Sequence, residues 1–256
     1  MKHIGVIGSG WLAQAMARAW QKRYRVTLTS RNPEKQQQLN AQGLNCEIHN
    51  LGEALPFLTE IDALIIATTS KDLSVHQLLL NQLQSHPDLP LLFTSSTSVY
   101  PNDGRKHAED SPRIKTDHPL YTIEQGLQQH PKTTIIRCGG LIGPGRHPGR
   151  FFQNKAIPSP DAPVNLLPLE DAIGIFSHVI EQQLTGTTLN ACHSEHPPKG
   201  QYYPKMAQAI GLPAPKIGQD NSSPGKIIDT HRLINEMSYR LQSDIWQIHD
   251  PIENSP

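Results

Sequence analysis

The chain has 256 residues, 36% of them hydrophobic and 18% charged, and its 23 basic and 23 acidic side chains cancel. That length buries one large domain, or one domain and a small lobe. The charge balance argues against a general nucleic-acid binder, and no apolar run approaches the length of a membrane span.

The chain opens on a short apolar run, His3–Ile7, which enters Gly8-Ser9-Gly10-Trp11-Leu12-Ala13. A helical pattern follows at Leu12, Ala15, Met16 and Ala19. This is G-x-G-x-x-A between strand and helix, where each small residue has a task. Gly8 makes the tight turn, Gly10 lets backbone approach a pyrophosphate, and Ala13 lets helix pack on strand. The phosphates then meet unpaired N–H groups at the positive end of the helix.

Arg25–Ser30 reads as a second strand, Pro33–Gln42 as a helix with proline in its first turn, and Asn45–His49 as a third strand. Residues 61–67 (IDALIIA) form the apolar run of a strand buried on both faces. Leu73–Leu83 reads as a helix and Leu91–Ser95 as a strand ending in a serine/threonine cluster. A helix over Tyr121–Gln129 and a strand over Thr133–Cys138 complete the alternation. The pattern predicts an α/β chain built on a Rossmann-type, doubly wound parallel sheet.

From Gly139 the rhythm breaks, and glycine and proline thicken through residues 143–163. Helices are expected over Glu170–Gln183, Tyr202–Ile210 and Asp229–Met237, and the tail after Trp246 is expected to fray. The division is therefore a nucleotide-binding domain over 1–138 and a C-terminal lobe over 139–256, partly interleaved with the sheet. The lobe is expected to close over the carboxyl ends of the strands.

Cys46, Cys138 and Cys192 are scattered and form no C-x-x-C pair, which suits a reducing compartment. No signal peptide precedes the first strand, so a cytoplasmic setting is expected. His193 and His196 are three apart but run into Pro197-Pro198, so no helical metal site is expected.

The residue ending the second strand reads the adenosine ribose in such folds. Here the strand ends Thr29-Ser30-Arg31-Asn32, with no carboxylate before Glu34. A hydroxyl and a guanidinium accommodate a 2′-phosphate, so NADP is preferred to NAD as cofactor. In the alternative, Arg31 is a solvated loop charge.

Four segments carry a family resemblance: the glycine fingerprint; Ser95-Ser96-Thr97-Ser98-Val99-Tyr100; Arg137-Cys138-Gly139-Gly140-Leu141-Ile142-Gly143-Pro144-Gly145; and residues 164–171 (VNLLPLED). In that order they resemble an extended or atypical short-chain dehydrogenase/reductase of the NAD-dependent epimerase/dehydratase family, across almost the whole chain. Residues 143–152 (GPGRHPGRFF) and 225–229 (GKIID) resemble its bacterial YeeZ-like branch.

The resemblance implies cofactor contacts at Gly8, Ser9, Gly10, Trp11 and Leu12. It adds Ser30 and Arg31 at the ribose, with Thr68, Thr94 and Ser95 at later strand ends. Ser96 matches the family's hydroxyl that bonds the substrate oxygen. The Tyr-x-x-x-Lys pair on the next helix is absent. Anchoring on Glu124 puts Thr116 and Leu120 at its two positions. Tyr121 is one residue off, about 100° around a helix, and Gln125 follows it where a lysine is needed. Tyr121 or Tyr100 remains as a replacement acid. Without a cation beside it, a tyrosine near pKa 10 is a poor base.

Arg137, Arg146, His147, Arg150 and Asn165 lie on segments that face substrate in relatives, and arginine forks suit phosphate. Arg146 and Arg150 read equally as ion-pair partners of Glu170, Asp171 or Asp229, and Asn165 as a loop cap. The implied substrate is a sugar nucleotide or another phosphorylated small molecule. No nucleic acid or membrane partner is expected, and the chain would be a monomer or homodimer. Two functions stay open: an NAD(P)-dependent oxidoreductase or epimerase/dehydratase, and a dinucleotide-binding sensor whose reaction machinery has decayed.

Overall fold

Apolar periodicity decides where each element forms and which face it buries. In the computed structural model, which describes residues 1–249, β1 (His3–Ile7) is buried at all five positions. Helix α1 (Trp11–Trp20) turns Leu12, Ala13, Met16, Ala17 and Trp20 inward, one stripe of a 3.6-residue period. Then come β2 (Arg25–Ser30) and α2 (Pro33–Ala41). Helix α2 starts where Asn32 accepts from the Lys35 amide and Pro33 takes the first helical position.

Next follow β3 (Asn45–Ile48), β4 (Ala63–Ile66), α3 (Leu73–Leu83) and β5 (Leu91–Ser96). Beyond a 3₁₀ turn at Thr97–Val99 come β6 (Lys106–His107), α4 (Pro119–Leu127), β7 (Thr133–Cys138) and β8 (Gly140–Ile142). The remaining elements are β9 (Leu166–Pro168), α5 (Leu169–Glu181), β10 (Thr188–Ala191), α6 (Lys199–Ala209) and β11 (Ile227–Ile228).

Seven strands form one parallel sheet in the order β10-β7-β5-β4-β1-β2-β3. Strand β1 pairs in parallel with β2 on one side and β4 on the other. The chain thus winds outward in one direction from β1 and then in the other, the doubly wound arrangement expected from the sequence. A strand-order reversal of this kind opens a crevice at the carboxyl ends of the strands beside it.

The chain divides into two compact units. The first comprises 1–96, 116–137 and 173–189; the second comprises 97–115, 138–172 and 190 onward. Five crossings result, one of them beside the boundary expected at 138. In the first unit, Ile7, Leu64, Ile66, Leu79, Phe93 and Ile135 lie in one apolar core. Residues 173–189 join this unit: Trp20 Nε1 donates to Ser177 Oγ at 2.7 Å, and Tyr24 donates to Glu181. In the second unit, Ile142, Ile157, Val164, Tyr202 and Met206 form a separate core. Its short strands pair β8 with β9 and β6 with β11.

Three elements depart from the sequence reading. The run 61–67 contributes only Ala63–Ile66 as strand, with Ile61 in the apolar core ahead of it. Helix α6 starts at Lys199 and carries Pro204 inside it. The helix expected over Asp229–Met237 is a single π turn, Arg232–Glu236. In the expected frayed tail, Gln247 still donates its amide to Asp244 O; residues 250–256 lie outside the described residues. No described helix is long and apolar enough to cross a membrane.

Candidate functional site

A cleft of about 300 Å³ lies in the first unit at the carboxyl ends of four neighbouring strands. Its wall takes Ile7–Gly10 from the end of β1, Thr29–Asn32 from β2, His49 and Leu51 from β3, and Ala67–Thr69 from β4; Lys35 of α2 closes one side. This is the crevice the sheet order requires.

Gly8 leaves β1 with φ +124°, a conformation side chains rarely adopt, and a Cβ there would collide with the Ala67 carbonyl oxygen. Its amide donates to Thr29 Oγ1 at 3.0 Å, which ties the turn to β2. Gly10 differs. Its φ is an ordinary −72°, and an added Cβ would meet nothing of the protein within 4 Å. It is the N-cap of α1, where no side chain caps the helix and the first turn has no acidic residue. The positive end of a ten-residue helix therefore begins at the cleft wall. Ala13, 1% exposed, is the close helix contact.

On the β2 side, Ser30 Oγ accepts from the Asn32 amide at 3.2 Å and shapes the turn that carries Arg31. Arg31 is exposed and Lys35 half-buried, and both line the cleft. Glu34 is exposed and lies off the wall. Two buried polar atoms near the strand ends have no hydrogen-bond partner among the described residues: His49 Nε2 and Thr94 Oγ1. Burial makes the His49 imidazole harder to protonate, with Glu53 opposing the effect.

The cleft thus gathers Gly8, Ser9, Gly10, Ser30, Arg31 and Thr68 of the expected residues. Trp11, Leu12, Thr94 and Ser95 are off its wall. Leu12 instead packs inward from α1. Thr29, Asn32, Lys35, His49 and Thr69 were not anticipated. Lys35 was legible in principle, since it sits in the first turn of the helix after Arg31. His49 had no signal, because a histidine ending a strand usually serves packing.

Two residues stand where the sequence reading did not put them. Arg137 was expected at the substrate. It is 3% exposed, and its Nε and Nη2 grip the carboxylate of Glu124, itself 0% exposed, at 2.7–3.1 Å. Ser95, expected at the coenzyme, donates its hydroxyl to the same carboxylate. A buried guanidinium must be paired, and a strand-end serine beside that pair satisfies it. Ser96 follows at the last position of β5 and is half-buried. Thr116 is exposed, Leu120 packs on the apolar core from α4, and Tyr121 sits half-buried in α4.

The remaining expected substrate residues belong to the second unit. His147 is 1% exposed, and its Nδ1 accepts from the Gly149 amide. Arg146 and Arg150 on either side of it are exposed. Asn165 donates to Lys226 O at 2.9 Å and accepts from the Ile228 amide at 3.0 Å, so it clamps β11 as a loop cap. Asp171, one candidate partner for the arginines, accepts from the amides of Gln242 and Ser243. Asp229, another, pairs with Lys106 at 3.0 Å.

Sheet order and crevice together define a doubly wound α/β protein with a Rossmann-like fold. Residues 1–95 match the family model for shikimate/quinate 5-dehydrogenase, a match confined to the strands and helices around the cleft. Over 94% of its length the chain is 31% identical to protein YeeZ of Escherichia coli K12, covering 96% of that protein. The chain belongs to the YeeZ family. Its fold is shared with dTDP-glucose 4,6-dehydratase of Bacillus anthracis, solved with NAD (TM-score 0.80, 13% identity, 96% and 94% of the two chains). It is also shared with the human epimerase family protein SDR39U1, solved with NADPH (TM-score 0.73, 17% identity, 95% and 96%).

Proposed function

We propose that the cleft binds NADP, and that the chain is an NAD(P)-dependent oxidoreductase or epimerase/dehydratase acting on a sugar-nucleotide or other phosphorylated substrate. The uncapped N-terminus of α1 at Gly10 carries this reading. The pyrophosphate lies against the Gly8–Gly10 turn at the start of α1, and the missing Cβ of Gly10 leaves it room to approach. The two structural neighbours were solved with NAD and with NADPH, which supports a nicotinamide dinucleotide.

The preference for NADP rests on Arg31 and Lys35, two cations on the ribose side with no carboxylate on the wall. Bound there, the coenzyme supplies hydride transfer. Ser96 then positions a substrate oxygen, and Tyr121 is the candidate proton donor. Arg146 and Arg150 offer exposed guanidinium groups to substrate phosphate. Outside the fold core, the protein acts in the cytoplasm as a monomer or homodimer.

A second reading, a coenzyme-binding sensor without turnover, has its own observation. Ser95, Glu124, Arg137 and Leu120 all serve the packing of the first unit, and no cation follows Tyr121 one helical turn on. The two readings share the coenzyme and differ in turnover.

Titration of the purified protein with NADPH and NADH tests the common step. NADPH binds more tightly. Gly10→Val leaves the fold intact, since its Cβ meets no protein atom, but lowers affinity for both coenzymes by roughly 100-fold through blockage of the phosphate path. Arg31→Asp reverses the preference toward NADH; an unchanged ratio would remove the NADP assignment. Product analysis with a panel of sugar nucleotides then separates enzyme from sensor.

A further inference from the structure

Two lysines of the second unit lack a counter-ion. Lys115 and Lys226 are both half-buried, and neither forms an ion pair with a carboxylate among the described residues. Both are tied to the turn that follows β5. The Lys115 amide donates to Val99 O at 2.9 Å, and the Lys226 ammonium donates to Tyr100 O at 2.7 Å. That carbonyl occupies one of three ammonium donors and brings no negative charge. The main chain at Lys226 is fixed as well, because Asn165 donates to Lys226 O and accepts from the Ile228 amide.

The charges that bear on Lys226 do not neutralise it. Burial, and then the like charge of Lys115, push its ammonium down to about 8, with Asp103 opposing them. Asp103 is shared among other cations. One of its oxygens accepts from His107 Nε2 at 2.9 Å, and the other stands 3.9 Å from Arg113. Lys106, on β6, is paired with Asp229 at 3.0 Å. A cation withdrawn from water without a counter-ion is costly, and an arriving anion offsets that cost.

We propose that Lys115 and Lys226 hold the phosphate of the substrate, with Lys226 as the principal contact. This rests on the reading of the substrate as a phosphorylated small molecule, and it names the side chains that receive the phosphate. Tyr100, whose carbonyl anchors Lys226, comes four residues after Ser96 in the chain. Bound phosphate raises the Lys226 ionisation back toward the ordinary lysine range. Affinity is therefore fully present below about pH 8, where Lys226 is charged in the free protein, and falls as pH rises above it. A phosphate monoester is doubly ionised throughout that range, so the fall belongs to the lysine.

The experiment titrates the full chain with glucose 1-phosphate, with glucose as the control. Lys226→Gln weakens glucose 1-phosphate binding about tenfold at about pH 7.5, and Lys115→Gln about threefold. NADP affinity stays within about twofold in both variants. Lys226→Arg, charged at every pH used, keeps the affinity and flattens its dependence between about pH 7.5 and 9.5. In the unaltered protein the Lys226 amine titrates near 8 by NMR. Saturating glucose 1-phosphate moves it up by about one pH unit, whereas glucose does not. That measurement needs no variant, so a misfolded one leaves the test intact. A Lys226 titration that does not move overturns the inference. So does binding that persists unweakened in Lys226→Gln, which would assign the phosphate to Arg146 and Arg150 and leave the phosphorylated-substrate reading standing. If the unaltered protein does not bind glucose 1-phosphate, the inference falls, and product analysis with the sugar-nucleotide panel decides the wider reading separately.

Discussion

The two units solve the burial of a carboxylate in opposite ways. In the first, Glu124 is neutralised by Arg137, and Ser95 supplies the remaining hydrogen bond. In the second, Asp171 is as fully buried but is held by the amides of Gln242 and Ser243 and the hydroxyl of Tyr239, some seventy residues along the chain. The first device locks a helix to a strand inside an element-rich sheet. The second ties a segment with no regular structure, 240–244, to the start of α5. In the first unit the device joins ordered elements; in the second it frames a loop.

Breaking the first device carries the larger penalty. Arg137→Leu strands a carboxylate that is 0% exposed beside a single hydroxyl. Removing one partner of such a pair costs about 3–5 kcal/mol, a fall in Tm of roughly 10 °C for a domain this size. Thermal unfolding measures it. The double change Glu124→Gln with Arg137→Met, which removes both charges, recovers most of the loss. If the single and double variants melt together, the pair is not what holds α4 to β7.

The same contrast explains what was legible in the sequence. Strands β1, β2 and β7 and helices α1 and α3 announce themselves by period. They meet the physical demand of a sheet buried on both faces. The glycine turn was legible because two different constraints act there, a positive φ at Gly8 and open space at Gly10. Arg137 was misplaced because an arginine in an apolar strand reads as a ligand contact when its partner, Glu124, is thirteen residues away on another element. In the second unit the ties of Asn165 to Lys226 and Ile228, and of Asn190 to Glu109 and Asp229, span 39 to 81 residues. Local pattern carries no trace of them.

Breaking the second device costs less and acts locally. Asp171→Ala removes one acceptor from two backbone amides and a tyrosine hydroxyl, each worth about 1 kcal/mol when neutral and somewhat more toward a charged group. Water can reach Gln242 and Ser243, which are exposed and half-buried, and it replaces part of what is lost. The expected destabilisation is about 2 kcal/mol, smaller than for Arg137→Leu. Hydrogen exchange locates it: protection falls at Gln242, Ser243 and Tyr239, while the amides of β1 and β4 exchange as before. Asp171→Asn keeps one acceptor oxygen and falls between the two. If instead the exchange of β1 and β4 rose in step with that of 239–243, Asp171 would support the sheet itself, and the contrast between a sheet framed by its strands and a unit framed by its side chains would fail.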